Sequence, residues 1–488
     1  MDQLRDLRGL NLGSLAAEND TALSSYFVRT EAFDRVQQAN RWLVLGNRGS
    51  GKTAIFRTLA EQKRTEGRKV VELRPEDYSY ELARDVLARE TDGSWQKSGA
   101  FAAAWKWLIL LLVMRNVGDP SIGAKRRPAG KIHAYLRDNH AGMSIGPMDA
   151  LIGYLKRIES VKLGKYEAGV QARELRGLFK LDELKPVLPC LEEILQGSEI
   201  YVLVDELDRG WDASEDAQYF VSGLFRAAVG LNQEFKGLHV LVSLRHELYE
   251  SIPALYDDTQ KHRDVIESIR WDETRLQAMI SERVRVSFPK ETRGMSTEQA
   301  WNFAFGEILS YRSTRSFIYV VDRTLNRPRE LISFCSAIRD AAIERGVAVD
   351  YSVITDAERK YSKDRFDDIV SEYRFQYPGL REVFEEFRGR LYRLDRDSLV
   401  VMSEEIILSD RLREAAPWLQ GLQRAERLIE ILWEVGFLLA RNVGGQKGLV
   451  RSGSQYVGSY HISSIALDSV QTFKVHPLYH SHLQMKEK

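Results

Sequence analysis

The stretch RWLVLGNRGSGKT, residues 41–53, decides the fold of this chain. Its apolar start predicts a short buried strand, and the AIFRTLAEQKR that follows has the spacing of apolar residues typical of a helix. Between them, Gly46, Gly51, Lys52 and Thr53 complete the pattern of a phosphate-binding loop. Glycines let the backbone turn its N–H groups toward an anion, and the helix adds its positive N-terminus. The stretch therefore predicts a strand–loop–helix unit that binds phosphate groups.

The loop pattern also predicts which groups bind the nucleotide. We expect the backbone to cradle the phosphates, Lys52 to reach the β- and γ-phosphates, and the Thr53 hydroxyl to bind Mg²⁺. ATP is therefore the expected nucleotide and Mg²⁺ the expected metal. The predicted nucleotide-binding residues are Gly46, Asn47, Arg48, Gly49, Ser50, Gly51, Lys52 and Thr53.

A second apolar stretch, IYVLV at residues 200–204, ends in two carboxylates, Asp205 and Glu206. Ligands bind at the carboxyl edge of parallel sheets, so these side chains should face the nucleotide. We expect Asp205 to hold a water on Mg²⁺, and Glu206 to orient and deprotonate the attacking water. The pair favours hydrolysis, with water as nucleophile, over phosphate transfer by a small-molecule kinase.

Residues that follow the next apolar stretch complete the predicted site. Ser243 ends LHVLVSL, which we expect to lie between the other two strands, and its hydroxyl would bind the attacking water or the γ-phosphate. Arg245, Arg263 and Arg270 are each a candidate arginine finger, within the chain or across a subunit interface. The sequence does not choose among these arginines.

The segment NRPRELI, residues 326–332, supplies the last candidate. Pro328 suits the first turn of a helix. Arg329 follows it, and we expect its guanidinium to move onto the γ-phosphate when a helical lid closes.

The order of these patterns predicts an α/β P-loop NTPase core with a parallel five-stranded sheet, because apolar strands alternate with helices. The predicted strands cover residues 41–46, 69–73, 200–204, 238–244 and 265–269. Residues 1–275 would form the core, with a helical insertion at about 90–190. Residues 276–345 read as helical throughout and would form the lid. In 346–488, a helix at 425–440 followed by a glycine-rich hairpin predicts a winged-helix-like region.

Composition excludes several classes of protein. The 488 residues carry 70 basic and 70 acidic side chains, which excludes a histone-like polycation. Cys190 and Cys335 form no CxxC pair, which excludes a disulfide framework and favours the cytoplasm. The charged start is unlike a signal peptide. The apolar run at 105–114 is about half the length that spans a bilayer, so it predicts a buried helix.

Four segments, GNRGSGKT, VLVDELDRGWD, VLVSLRHELYESIP and NRPRELI, resemble in that order a family of bacterial P-loop ATPases related to the AAA+ and STAND classes. The resemblance runs nearly end to end, and DELDRGWD, residues 205–212, is its most specific part. It implies a five-stranded parallel core, a helical lid, a C-terminal winged-helix-like region, and ATP binding and hydrolysis. Relatives of this broad class act as switches in signalling and antiphage defence, or as loaders and remodellers on nucleic acid. The acidic pair follows the loop at a longer distance than in compact AAA+ proteins, which predicts the insertion.

Three activities stay open at this point. The first is an ATP-driven conformational or oligomeric switch in antiphage defence or stress response. The second is a DNA-dependent motor or loader in repair or replication, and the third is a nucleotide-gated scaffold with little turnover. Basic residues at 124–127 and, on the predicted wing, Arg441, Lys447 and Arg451 are candidate nucleic-acid contacts. A homo-oligomer and a separately encoded effector protein are the other expected partners, and no membrane is expected.

Overall fold

The computed structural model of the chain divides into two compact units. A sheet unit takes in the described residues of Arg29–Asn47 and Gly51–Ile269, and a helical unit takes in those of Met1–Val28, Arg48–Ser50 and Arg270–Lys488. The described residues are 7–74, 94–118, 127–140, 146–163, 173–174, 177–207, 211–252, 255, 263–441, 456–462 and 465–487.

A parallel sheet of five strands forms the centre of the sheet unit. The strands are β1 (Leu43–Leu45), β2 (Lys69–Leu73), β3 (Ile200–Val204), β4 (Leu238–Leu244) and β5 (Ile266–Ser268). Their order across the sheet is β2-β3-β4-β1-β5, and every pair is parallel. β1, β3 and β4 are almost wholly buried, because a parallel sheet carries helices on both faces. This sheet confirms the predicted α/β class, with β4 between β1 and β3.

Helices account for most of the other described residues of the sheet unit. Described helices cover Glu31–Gln37, Lys52–Thr65, Ser94–Val117, Pro128–His140, Pro147–Leu163, Leu188–Gly197, Glu215–Glu234 and His246–Ser251. Four of these helices, from Ser94–Val117 to Leu188–Gly197, lie between the loop and the acidic pair in the described part of the chain.

The apolar run at 105–114 lies inside the helix Ser94–Val117 and packs against Glu215–Glu234. The Trp105 indole donates to the Phe220 carbonyl at 3.0 Å, and the two rings meet edge to face at 4.9 Å. Gly223 lets the helices approach, because a Cβ there would lie 2.5 Å from the Cβ of Phe101. Among the described residues, Lys97–Val117 is the one stretch long and apolar enough to cross a membrane, and 72% of its most apolar window is buried in the molecule.

The helical unit is built on one continuous apolar core that runs from Leu7 to Leu483. Its described helices cover Leu23–Tyr26, Glu273–Ser287, Thr297–Phe305, Ser316–Val321, Pro328–Arg345, Tyr351–Glu372, Leu380–Glu385, Arg396–Leu408, Asp410–Ala415, Ala425–Glu434 and Pro477–His480. Pro328 occupies the first turn of its helix, as the sequence predicts.

Two expectations for this unit are wrong in detail. Residues 276–345 are not helical throughout, because β6 (Ile308–Leu309) and β7 (Thr314–Arg315) form a small antiparallel hairpin. The helix predicted at 425–440 ends at Glu434, since Gly436 adopts a positive φ of 79° that terminates it. The apolar residues that follow form a strand instead. An apolar run alone does not distinguish a buried strand from a helix.

A second sheet lies near the C-terminal end of the helical unit. Its strands are β8 (Arg393–Asp395), β9 (Leu438–Arg441), β10 (Tyr456–Val457) and β11 (Thr472–Val475), in the order β10-β9-β11-β8. All three pairs are antiparallel. The segment predicted as the glycine-rich hairpin, 442–455, lies outside the described residues.

Candidate functional site

The base of the phosphate-binding loop belongs to the sheet unit. The Gly46 N–H donates to the Leu244 carbonyl at 3.3 Å, which continues the sheet into the loop. The helix Lys52–Thr65 begins after Gly51, whose φ of 97° lies in the left-handed region and whose missing side chain leaves the helix start uncapped. The Lys52 ammonium donates to the carbonyls of Gly46 and Asn47, at 2.6 and 3.1 Å. The lysine therefore folds back over the start of the loop.

The acid and the serine predicted from the strand ends lie side by side. β3 and β4 pair with Val204 opposite Val242, so Asp205 and Ser243 each come one residue later at the same edge. The Ser243 hydroxyl donates to Asp205 Oδ1. Both side chains are buried, with 5% of Asp205 and 1% of Ser243 exposed. Ser243 is therefore a partner of the acid rather than a free hydroxyl.

The second carboxylate oxygen of Asp205 fits a metal-bound water. Asp205 Oδ2 is buried and has no hydrogen-bond partner among the described residues. An oxygen buried in this way is costly unless something binds it, and Mg²⁺ with its waters prefers oxygen ligands. The residues at this strand end therefore fit the cation that accompanies ATP.

Glu206 follows Asp205 in an uncommon backbone conformation. Its φ is 62°, in the left-handed region that a side chain disfavours, and such strain concentrates at functional sites. Arg74, one residue after β2, lies with its guanidinium 3.7 Å from the Glu206 carboxylate. The Glu206 side chain is 14% exposed, so water can approach it.

Two of the candidate arginines, Arg245 and Arg263, belong to the sheet unit and lie at opposite edges of the sheet. Arg245 follows β4 directly and precedes the helix His246–Ser251, at the edge that holds Asp205 and Ser243. Arg263 precedes β5, and its carbonyl accepts from the Arg41 guanidinium at 2.9 Å. Because the strands are parallel, Arg263 lies at the amino edge and not with the acidic pair within one chain. Arg270 belongs to the helical unit, as the first residue of its segment Arg270–Lys488, and is exposed.

The tip of the phosphate-binding loop, Arg48–Ser50, belongs to the helical unit, where the NRPRELI turn contacts it. The Arg329 N–H donates to the Gly49 carbonyl at 3.3 Å, and its guanidinium Nε donates to the Leu15 carbonyl at 3.1 Å. A Cβ on Gly49 would lie 2.9 Å from the Arg329 Cβ, so this approach requires glycine.

Arg327, two residues earlier, is the buried arginine of the turn. Its guanidinium pairs with Glu372 at 2.7 Å and lies 3.7 Å from Glu330. Burial raises the pKa of the Glu330 carboxyl above its usual range, against the opposing effect of Arg327. Trp271 also contacts the loop tip, through an indole N–H donated to the Ser50 carbonyl at 2.8 Å.

The sequence reasoning missed Arg74, Trp271 and Arg327. Arg74 carried a weak signal, since it directly follows the stretch predicted as a strand at 69–73. Trp271 and Arg327 carried no sequence signal, because both donate hydrogen bonds to backbone carbonyls of residues far away in the chain.

Several predicted residues lie elsewhere or outside the described part of the chain. In the acidic motif, Asp208–Gly210 are not described, and the Asp212 carboxylate accepts from the Ser214 N–H at 3.0 Å, at the start of a helix. Arg441 is exposed at the end of β9, whereas Lys447, Arg451 and residues 124–126 are not described.

Comparison with known families matches one part of the helical unit. Residues 274–370 match the family described as the FunZ-associated C-terminal helical domain. The matched stretch contains the NRPRELI turn and most of the helix Tyr351–Glu372.

A curated relative matches more of the chain. A protein of Escherichia coli K12, described as a putative transposon gamma-delta 80.3 kDa protein, is 22% identical over 385 residues. The match covers 77% of this chain and 53% of the relative, so the chain spans about half the length of that protein.

Among solved structures, the ORC2 protein of Aeropyrum pernix in its ADPNP and ADP complexes is similar at 10% identity with a TM-score of 0.32, over 94% of each chain.

Proposed function

We propose that this chain binds Mg²⁺–ATP at the phosphate-binding loop and hydrolyses it. The observation that carries the proposal is the buried Asp205, held by Ser243 through one oxygen and left with the other oxygen available at the carboxyl edge of the sheet. A parallel strand that delivers such a carboxylate, together with a complete phosphate-binding loop, is the arrangement that phosphoryl transfer needs.

In the proposed reaction, water attacks the γ-phosphate and ADP leaves. Lys52 neutralises charge on the β- and γ-phosphates, and Glu206 accepts the proton of the attacking water. Thr53 and Asp205 would hold Mg²⁺, which when bound neutralises charge on the phosphate oxygens. Arg245 is the proposed finger at this edge, and Arg329 stays a proposed sensor. Arg263 would take part only across an interface with another copy.

Conformational change is the proposed output of hydrolysis. The proposed moving parts are those predicted from the sequence: an ATPase core at 1–275 with a helical insertion at about 90–190, a helical lid at 276–345, and a helical and winged-helix-like C-terminal domain at 346–488. An oligomer of this chain, or a separately encoded effector, would respond to the change. A role as a switch in antiphage defence or stress response rests on the sequence resemblance alone.

A DNA-dependent ATPase is the second candidate function. The observation in its favour is that the curated relative is described as a transposon protein. The helix Ala425–Glu434, which would enter a DNA groove in this candidate function, argues against DNA binding. Arg427, its basic residue, is paired with Glu430 at 2.7 Å and Glu434 at 3.2 Å, so its outer face would repel phosphates. Stimulation of turnover by duplex DNA, lost steeply as salt rises, would favour this candidate.

The test of the proposed function compares two carboxylates of the DELDRGWD motif. Asp205→Asn should abolish Mg²⁺-dependent release of phosphate from ATP, because the metal loses its acid. Asp212→Asn is the matched control, since Asp212 serves a turn, and it should retain most of the turnover. Equal turnover in the two variants would contradict the assignment of the metal site.

A further inference from the structure

Three successive carbonyls at the tip of the phosphate-binding loop accept hydrogen bonds from one part of the helical unit. The Arg48 carbonyl lies 3.5 Å from the Arg327 guanidinium. The Gly49 carbonyl accepts from the backbone of Arg329 at 3.3 Å, and the Ser50 carbonyl from Trp271 at 2.8 Å. No residue of the loop pattern itself supplies these donors.

This arrangement fixes the direction of the peptide groups at the tip. A phosphate-binding loop works when its N–H groups converge on the anion, which requires alternation between right-handed and left-handed residues. Gly49 and Gly51 supply the left-handed positions, with φ of 78° and 97°. With its carbonyls occupied from outside, the tip is ordered before a ligand arrives, and pre-ordering reduces the entropy lost on binding.

We propose that Trp271, Arg327 and the backbone of Arg329 form a clamp that sets the nucleotide affinity of the loop, and that Glu372 holds the clamp in place. Trp271 and Arg327 are thus positioning residues, since they act on loop carbonyls and not on the nucleotide. The inference deepens the proposed function and rests on it.

Glu372 connects the clamp to the end of the helix Tyr351–Glu372. Only 7% of the Arg327 side chain and 2% of the Glu372 side chain are exposed, and their atoms are 2.7 Å apart. Removal of one member of a buried ion pair leaves the other charge uncompensated. A shift of this helix would therefore move Arg327, and the nucleotide affinity would respond to the helix.

The clamp makes a prediction that separates it from a γ-phosphate sensor. The loop backbone cradles the phosphates that ATP and ADP share, so loss of the clamp should weaken both nucleotides by the same factor. Loss of a sensor arginine would weaken ATP alone.

The first experiment removes one indole donor at a time from the full chain. Trp271→Phe keeps an aromatic ring but loses the N–H, and we expect the dissociation constants of ATP and ADP to rise roughly 3- to 10-fold. Trp418→Phe is the matched control, because its indole donates to the Pro378 carbonyl at 2.9 Å, away from the loop. Fluorescent ATP and ADP analogues report both constants.

The second experiment neutralises two carboxylates of one helix. Glu372→Gln should weaken both nucleotides roughly 3- to 10-fold, since a charge-assisted hydrogen bond to Arg327 is lost. Glu358→Gln removes a comparable buried pair, with Arg323 at 2.8 Å, that does not reach the loop. It should lower the unfolding midpoint to a similar degree while both dissociation constants stay within about twofold of wild type.

Each outcome decides one claim. Wild-type protein that binds neither nucleotide would overturn the proposed function, and this inference with it. Wild-type binding that Trp271→Phe and Glu372→Gln leave unchanged would overturn the clamp alone, as would a loss confined to ATP. Equal weakening by the Trp418 and Glu358 controls would assign the effect to general stability and would also overturn the clamp.

Discussion

The base and the tip of one phosphate-binding loop are ordered by different parts of the molecule. At the base, Lys52 folds onto the carbonyls of Gly46 and Asn47, and the neighbouring strand ends bring Asp205 to Ser243. At the tip, Arg48–Ser50 accept hydrogen bonds from Trp271, from Arg327 and from Arg329 in the first turn of the helix Pro328–Arg345. The base supplies charged side chains for the nucleotide. The tip supplies backbone peptide groups, and residues outside the loop set their orientation.

A complete motif therefore does not by itself order the whole site. The side chains of the base follow from the motif, and their chemistry is local. The geometry of the tip depends on residues that lie more than two hundred positions away in the sequence. The two regions should therefore respond differently to substitution.

The largest effect is expected at the base. Lys52→Ala should raise the dissociation constant of ATP roughly 10- to 100-fold, because hydrogen bonds to a charged group contribute more than neutral ones. Lys63→Ala, on the same helix, is the control, since that ammonium pairs with Glu66 at 3.1 Å. An ATP affinity in Lys52→Ala no weaker than in the tip variant Trp271→Phe would break the comparison.

The next largest effect is expected from a side chain placed at Gly49, where the tip of the loop is closely packed. Gly49→Ala should lower the free energy of unfolding by about 2–3 kcal/mol, from the positive φ and from the contact with the Arg329 Cβ. Gly67 has a similar φ of 75° and open space around it, so Gly67→Ala should cost only about 1–2 kcal/mol. Urea unfolding of both variants isolates the contact, and equal losses would argue that the tip is not closely packed.

A smaller effect is expected from the hydroxyl beside the acid. Ser243→Ala removes the donor to Asp205 and should lower the free energy of unfolding by about 1–2 kcal/mol, since a buried carboxylate oxygen is left unsatisfied. Ser222→Ala also removes a buried hydroxyl, but that one donates to the backbone carbonyl of Tyr219 at 3.2 Å. Chemical unfolding that shows no greater loss for Ser243 would weaken the account of the base.

The smallest effect on stability is expected at Arg74. Arg74→Met should change the free energy of unfolding by less than about 1 kcal/mol, because the pair with Glu206 is partly exposed and 3.7 Å long. Turnover should rise, by no more than about fivefold, as the Glu206 carboxylate is released toward water. Arg68→Met is the control, since it breaks another exposed pair, with Glu199 at 3.4 Å just before β2 begins, and it should leave turnover unchanged. A fall in turnover for Arg74→Met would indicate that Arg74 positions Glu206 for the reaction.

The sheet and the base of the site could be predicted because their signals are local. Three of the five strands, β1, β3 and β4, are buried apolar runs. The register of the parallel strands then brings Asp205 beside Ser243. The sequence named Arg329 in its turn, whereas the structure buries Arg327 against Glu372. The sequence alone does not distinguish these two arginines, which are separated by one proline, because tertiary packing decides which side chain is buried.

The remaining errors have the same origin. Residues 435–440 are apolar enough for a helix, and only the left-handed conformation of Gly436 shows that a strand follows. Arg263 was one of three candidate arginine fingers, within the chain or across a subunit interface. The strand that follows it runs parallel to β1, which places Arg263 at the opposite edge.

The central claim, hydrolysis of ATP with Glu206 as the base, is tested most directly by phosphate release from the wild type and from Glu206→Gln. We predict Mg²⁺-dependent turnover in the wild type that falls by about 10²-fold or more in the variant, with the ATP dissociation constant unchanged. Equal turnover in the two proteins, or a wild type that binds ATP without releasing phosphate, would contradict the claim.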